Sequence, residues 1–68
     1  MKVSDSLKNR EILIEFASIG QIVKVSAMDT SSLTEISIQG PASAGEAMLQ
    51  RNALMRLEYV LKKKGIIR

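Results

Sequence analysis

Apolar and polar residues alternate along EILIEFASIG, QIVKVSAMD and LTEISIQG, and from Ala44 to Lys64 the apolar positions recur every three or four residues instead. A period of two marks strands with one face buried, and a period near 3.6 marks an amphipathic helix. The first three segments are rich in β-branched residues and are separated by turn formers, Gly20 and the Asp-Thr-Ser-Ser run at 29–32. The pattern predicts an α+β domain over residues 11–68: a three-stranded antiparallel meander (β-β-β) packed on one face by a C-terminal α-helix. Residues 1–10 show no apolar period among their charged and hydroxyl side chains and are expected to be a flexible N-terminal lead-in. No internal repeat or low-complexity segment interrupts the chain.

Register follows from asking which pairing gathers the apolar residues on one face. Pairing Phe16 with Val23, Ile14 with Val25 and Ile12 with Ala27 leaves a tight turn at Ile19-Gly20; pairing Val23 with Ile38, Val25 with Ile36 and Ala27 with Thr34 closes the second hairpin. The other face then sets Glu15 opposite Lys24, Lys24 opposite Ser37 and Ser26 opposite Glu35, with Leu13, Ala17, Ile22, Met28 and Leu33 pointing the same way.

On a helical wheel Ala47, Leu49, Ala53, Leu54, Leu57, Val60 and Leu61 form the stripe expected to meet Ile12, Ile14, Phe16, Val23, Val25, Ile36 and Ile38 in one core. The stretch QGPASAGEA, Gln39 to Ala47, reads either as a phosphate-cradling loop or as a turn with a helix cap. Gly40 and Gly45 have P-loop separation, but Glu46 and Ala47 stand where Lys and Ser/Thr belong, and a carboxylate there repels phosphate. Ser43-Ala44-Gly45-Glu46 instead has the form of a capping box, which is the reading taken. Lys62, Lys63 and Lys64 suit the last helical turn, and Gly65 suits the C′ position beyond it.

Composition narrows the function. Sixty-eight residues form one domain at most, burying roughly 60% of the unfolded chain's surface, so a partner subunit is an expected support. With no Cys and no His, disulfides and the commonest zinc ligands are absent. No cofactor and no metal site are expected. The polar start lacks a secretory core and no run is long enough to span a bilayer, so a cytoplasmic protein without membrane attachment is expected.

Catalysis is disfavoured: His and Cys are missing, no carboxylate pair has a spacing that would share a cleft, and a core this small leaves little room for a pocket of ~300 Å³. An interaction module is favoured. Its candidate partner surface comprises Leu13, Ile22, Met28 and Leu33 on the open sheet side and Met48, Met55 and Tyr59 on the outer side of the helix. Scattered surface apolar residues are the plain alternative. The small chain and its two sheet edges favour a homodimer. An unknown protein partner remains a further expectation.

Net charge is +3, ten basic residues against seven acidic. Arg51, Arg56, Lys62, Lys63 and Lys64 are the candidate phosphate contacts of a second reading, a weak sequence-independent nucleic-acid binder. The β-β-β-α order followed by basic residues resembles the later part of a double-stranded-RNA-binding domain. That family opens with a helix and sets lysines at the start of its final helix; here the opening segment is short and polar, and the matching positions are Ala44, Gly45 and Glu46. The resemblance is architectural only.

Three further marks, KVSAMD at 24–29, GPASAGE at 40–46 and ALMRLEYVLKKKG at 53–65, resemble a small uncharacterised alphaproteobacterial family of unknown function. The resemblance covers everything after the lead-in. It implies the fold and a cytoplasmic setting, and it brings no reaction, ligand or site residues.

Overall fold

The computed structural model describes residue 7 and residues 9–68. Three strands, β1 (Ile12–Ile19), β2 (Ile22–Asp29) and β3 (Thr34–Pro41), lead through a short 3-10 turn at Ala42–Ala44 into one helix, α1 (Glu46–Lys63). The strands form an antiparallel sheet in the order β1-β2-β3, and α1 lies over β2 and β3 on one face. This is the α+β meander and helix that the two periodicities predict.

The register differs from the expected one by two residues in both hairpins. Phe16 lies opposite Val25, Ile14 opposite Ala27 and Ile12 opposite Asp29; Val25 lies opposite Ile38, Ala27 opposite Ile36 and Asp29 opposite Thr34. A two-residue slip keeps every side chain on its face, so the hydrophobic pattern alone could not choose between the two. Turn geometry chooses. Ile19 pairs with Ile22 across a two-residue loop whose first residue, Gly20, has φ 60, the conformation such a loop accepts and a side chain resists. The expected cross-strand contacts of Glu15, Lys24, Ser26 and Glu35 are accordingly not formed. Glu15 lies opposite Ser26, Lys24 opposite Ala17 and Gln39, and Glu35 opposite Met28. Leu33, expected on the open sheet face, sits instead in the hairpin loop with φ 58.

The capping box is not formed either. Ala42–Ala44 turn as a 3-10 segment, the Gly45 amide donates to the Ala42 carbonyl at 3.2 Å, and α1 starts at Glu46 with Gly45 (φ 86) as its N-cap and no side-chain cap bond. Ser43 therefore falls two residues too early to cap. The C-terminus matches expectation. Gly65 has φ 76, its amide donates to Lys62, and the Ile66 amide reaches back to Leu61 at 2.9 Å, the bond pair of a Schellman motif.

Val23, Val25 and Ala27 of β2 meet Leu49, Ala53, Leu57 and Leu61 of α1 in the core, with Ile12, Ile14, Ile36, Ile38, Leu54 and Ile66 packed around them. Leu7 joins this cluster, so part of the expected lead-in belongs to the folded unit; residues 1–6 and 8 lie outside the described residues. Three residues expected in the core are not part of it. Ala47 is exposed, Val60 is only partly buried and lies outside the cluster, and Phe16 remains 38% accessible because α1 crosses β2 and β3 and barely reaches β1.

Gly40 lies directly beneath Leu49 of α1. A Cβ built there would stand 2.5 Å from Leu49 Cδ2, and Leu49 is itself buried. Gly40→Ala is expected to lower stability by about 1–3 kcal/mol as Leu49 is forced from its rotamer. Urea unfolding would show the loss; an unchanged midpoint would mean that the helix end yields freely.

Candidate functional site

The sheet face turned away from α1 carries four cross-strand rows. Leu13, Met28 and Glu35 form the first, Glu15, Ser26 and Ser37 the second, Ala17, Lys24 and Gln39 the third, and Ile19, Ile22 and Pro41 the fourth. Apolar residues occupy both ends and polar ones the middle. Leu13 and Ile22 are each 48% accessible, so this face is open. A hollow of about 330 Å³ lies on it, lined by Leu13, Ile14, Glu15, Ser26, Met28 and Glu35. Glu15 and Glu35 thus share a depression, contrary to the expectation that no carboxylates would. They stand on strands separated by β2 and in neighbouring rows, hence roughly 12 Å apart at the backbone.

On the opposite side of the molecule Met48, Met55 and Tyr59 project from α1, each about half accessible. The Arg56 guanidinium carbon stands 5.3 Å from the centre of the Tyr59 ring and Lys63 Nζ 5.8 Å, so the ring is contacted by two cations. Lys62 Nζ pairs with Glu58 at 3.5 Å, one turn earlier on the helix. Arg51, Lys62, Lys63 and Lys64 are all exposed. A second hollow, about 550 Å³, borders the start of α1 and is lined by Ala44, Gly45, Ala47, Met48, Gln50, Arg51 and Leu54. Both hollows exceed the room expected from so small a core, because they are surface depressions outside it.

The candidate partner residues stand on two sides of the molecule, with Leu33 apart from both groups. Leu13 and Met28 are direct cross-strand neighbours, and Ile22 lies at the far end of the same face. Met48, Met55 and Tyr59 share the helix exterior, and Leu33 stands apart in its loop. Sequence reasoning missed the exposure of Phe16, which alternation placed inward, because helix reach cannot be read from alternation; Ile19, expected in the tight turn, instead ends β1 opposite Ile22 and is exposed.

It also missed Asp29, whose side chain is fully buried at the end of β2. Its Oδ2 accepts from Arg10 Nη1 at 2.7 Å, from Ser32 Oγ at 2.6 Å and from the Ser32 amide at 3.2 Å; Ser32 Oγ also lies 2.9 Å from Thr34 Oγ1. Oδ1 is buried without a donor among the described residues. Burial pushes the Asp29 carboxyl up, but the Ser32 hydroxyl, the Arg10 charge and the backbone amides of Ser32 and Ser31 outweigh it and hold the group below the usual aspartate range. One carboxylate thus ties the β2–β3 loop to the segment preceding β1. The signal in the sequence was Asp29 placed three residues before Ser32 at a turn.

Among the described residues no group of three or more His, Cys, Asp or Glu could hold a metal ion, and no helix is long and apolar enough to cross a membrane. Comparison with curated proteins and with solved structures found no match. Residues 9–64 match a protein family described as a domain of unknown function, DUF6898. The matched span runs from the residue before Arg10 to the end of α1, taking in the whole sheet, and the chain belongs to this DUF6898 family.

Proposed function

We propose that this domain is a small non-catalytic interaction module of the alphaproteobacterial cytoplasm that associates with itself. The observation that carries the reading is the incomplete cover of the sheet. One helix shields one face of β2 and β3, leaving Leu13, Phe16, Ile19 and Ile22 between 38% and 69% accessible. Burying such surface contributes about 25 cal/mol per Å² before the costs of association. The lack of His and Cys, and carboxylates set on an open face, support a binding role over a chemical one.

Sedimentation across concentration tests the reading. The expected result is a mass that rises from monomer to dimer as protein is concentrated. A monomer persisting to about 1 mM, where even weak dimers form, is the result that sinks it.

The second reading, weak nucleic-acid binding by α1, draws on the distribution of charge. Arg51, Arg56, Lys62, Lys63, Lys64 and Arg68 outnumber Glu46 and Glu58 in the last third of the chain, whereas Glu11, Glu15, Asp29 and Glu35 outnumber Arg10 and Lys24 in residues 9–45. Glu58–Lys62 pairing and the Tyr59 contacts give several of these cations partners of their own. The expected outcome is no gel shift at physiological salt. A micromolar, salt-sensitive shift that Arg51, Arg56 and Lys63 to Gln weakens would put this reading ahead.

A further inference from the structure

The geometry points to the free edge of β1 as the self-association site, two copies joining antiparallel about a two-fold axis at Phe16 to make one continuous six-stranded sheet. This rests on the self-association reading above and names the interface for it.

The two edges of the sheet are unequal. Ile19 pairs with Ile22 across the tight turn, and Thr30 N donates to Glu11 O at the other end, so the odd-numbered residues of β1 bond to β2. Ile12, Ile14, Phe16 and Ser18 therefore turn their amides and carbonyls to the open edge. The strand, ILIEFASI, has no Pro, no Gly, no Lys and a single Glu, and its pairing with β2 runs without a bulge. Among the described residues none of the usual protections of an edge is present except that one charge. On β3 the Ala42 amide bonds to Gln21 O, which leaves Glu35, Ser37, Gln39 and Pro41 facing outward, and Pro41 has no amide to give. α1 also lies over β3 and barely reaches β1.

Register selects the second copy as occupant. A two-fold axis normal to the sheet keeps inner residues beside inner ones, so only a few alignments of β1 with itself exist. Centring on Glu15 sets two carboxylates directly opposite at a non-hydrogen-bonded pair, where the strands come closest, roughly 4.5 Å between Cα atoms. Centring on Ile14 shortens the shared stretch and puts Leu13 opposite Glu15. Centring on Phe16 aligns Leu13 with Ile19, Ile14 with Ser18 and Glu15 with Ala17, joins the two exposed Phe rings, and brings no like charges opposite. At that register the edge meets itself with inner residues beside inner ones and no like charges opposed.

The experiment compares dimer affinity in the full chain and three variants. Ser18→Pro removes an amide that faces the open edge and takes nothing from the β2 ladder, so it blocks pairing; the expected Kd rises tenfold or more. Ile22→Lys changes the open face on β2, beside Ile19 but one strand removed from the joined edge, and is expected to leave Kd within about twofold. Phe16→Cys introduces the sole cysteine, opposite its own copy at roughly 5.5 Å between Cα atoms, and mild oxidation is expected to give a covalent dimer. Should Ser18→Pro fail to fold, the Phe16→Cys cross-link decides, and its absence where the wild type is dimeric overturns the edge. A dimer broken by Ile22→Lys and indifferent to Ser18→Pro also overturns the edge, while leaving self-association standing in the open-face form. A wild type that stays monomeric removes both.

Discussion

Leu57→Ala is expected to cost about 2–5 kcal/mol and to leave the domain largely unfolded at 25 °C. Leu57 is among the largest fully buried side chains, near the centre of the α1 stripe that meets β2. Removing its isobutyl group opens a cavity that a two-layer structure can fill only by moving the helix. A domain of this size rarely has more than about 3–5 kcal/mol to lose. Met55→Ala, two residues earlier on the exposed side of the same helix, serves as control and is expected to change stability by less than about 0.5 kcal/mol. Chemical denaturation monitored by far-UV circular dichroism separates the two. If Leu57→Ala kept the wild-type midpoint, the helix would not be seated on the sheet as described.

The second large effect is expected at Asp29. Asp29→Ala leaves Arg10 and the Ser32 amide and hydroxyl without their acceptor at a buried position, at a cost of about 2–4 kcal/mol. The same carboxylate predicts the acid limb of the stability curve. Its folded-state pKa is lower than its unfolded one, so ionised Asp29 stabilises the fold fully above the ordinary aspartate value of 3.8. That contribution is lost as pH falls through the depressed folded value. The wild-type melting temperature is expected to be flat near neutrality and to drop steeply below about pH 4, with a shallower drop in Asp29→Ala. Parallel acid limbs in the two proteins would remove Asp29 from the account.

The architecture was legible because each element announces itself locally. Alternation in IVKVSAMD and the i, i+4 repeat of Leu49, Ala53, Leu57 and Leu61 each allow one face to be buried, and those faces are buried. Register was half legible. Parity is written in the side chains, but the choice among registers of equal parity belongs to the Gly20 turn and the Thr30–Leu33 loop, whose backbone conformations the pattern does not encode. The Ser43 cap failed for a related reason. Its motif was present, but the 3-10 turn competes for the same backbone and moves the helix start past it. Phe16 shows the limit of assigning a core by alternation, since facing inward counts for little where no element lies above. Asp29 needed two distant segments to meet, and a carboxylate in a turn run gives no sign of the arginine that will find it.

The placement of Tyr59 has an optical consequence. The chain holds one Tyr and no Trp, so its near-ultraviolet absorption and intrinsic emission come almost entirely from one ring on the outside of α1, contacted by Arg56 and Lys63 and remote from the open sheet face. That ring is a built-in reporter with a defined field of view. A molecule settling on the helix must displace those cations and change the signal, whereas strands joining at β1 leave the ring's surroundings intact, so the light itself tells the two surfaces apart without a label.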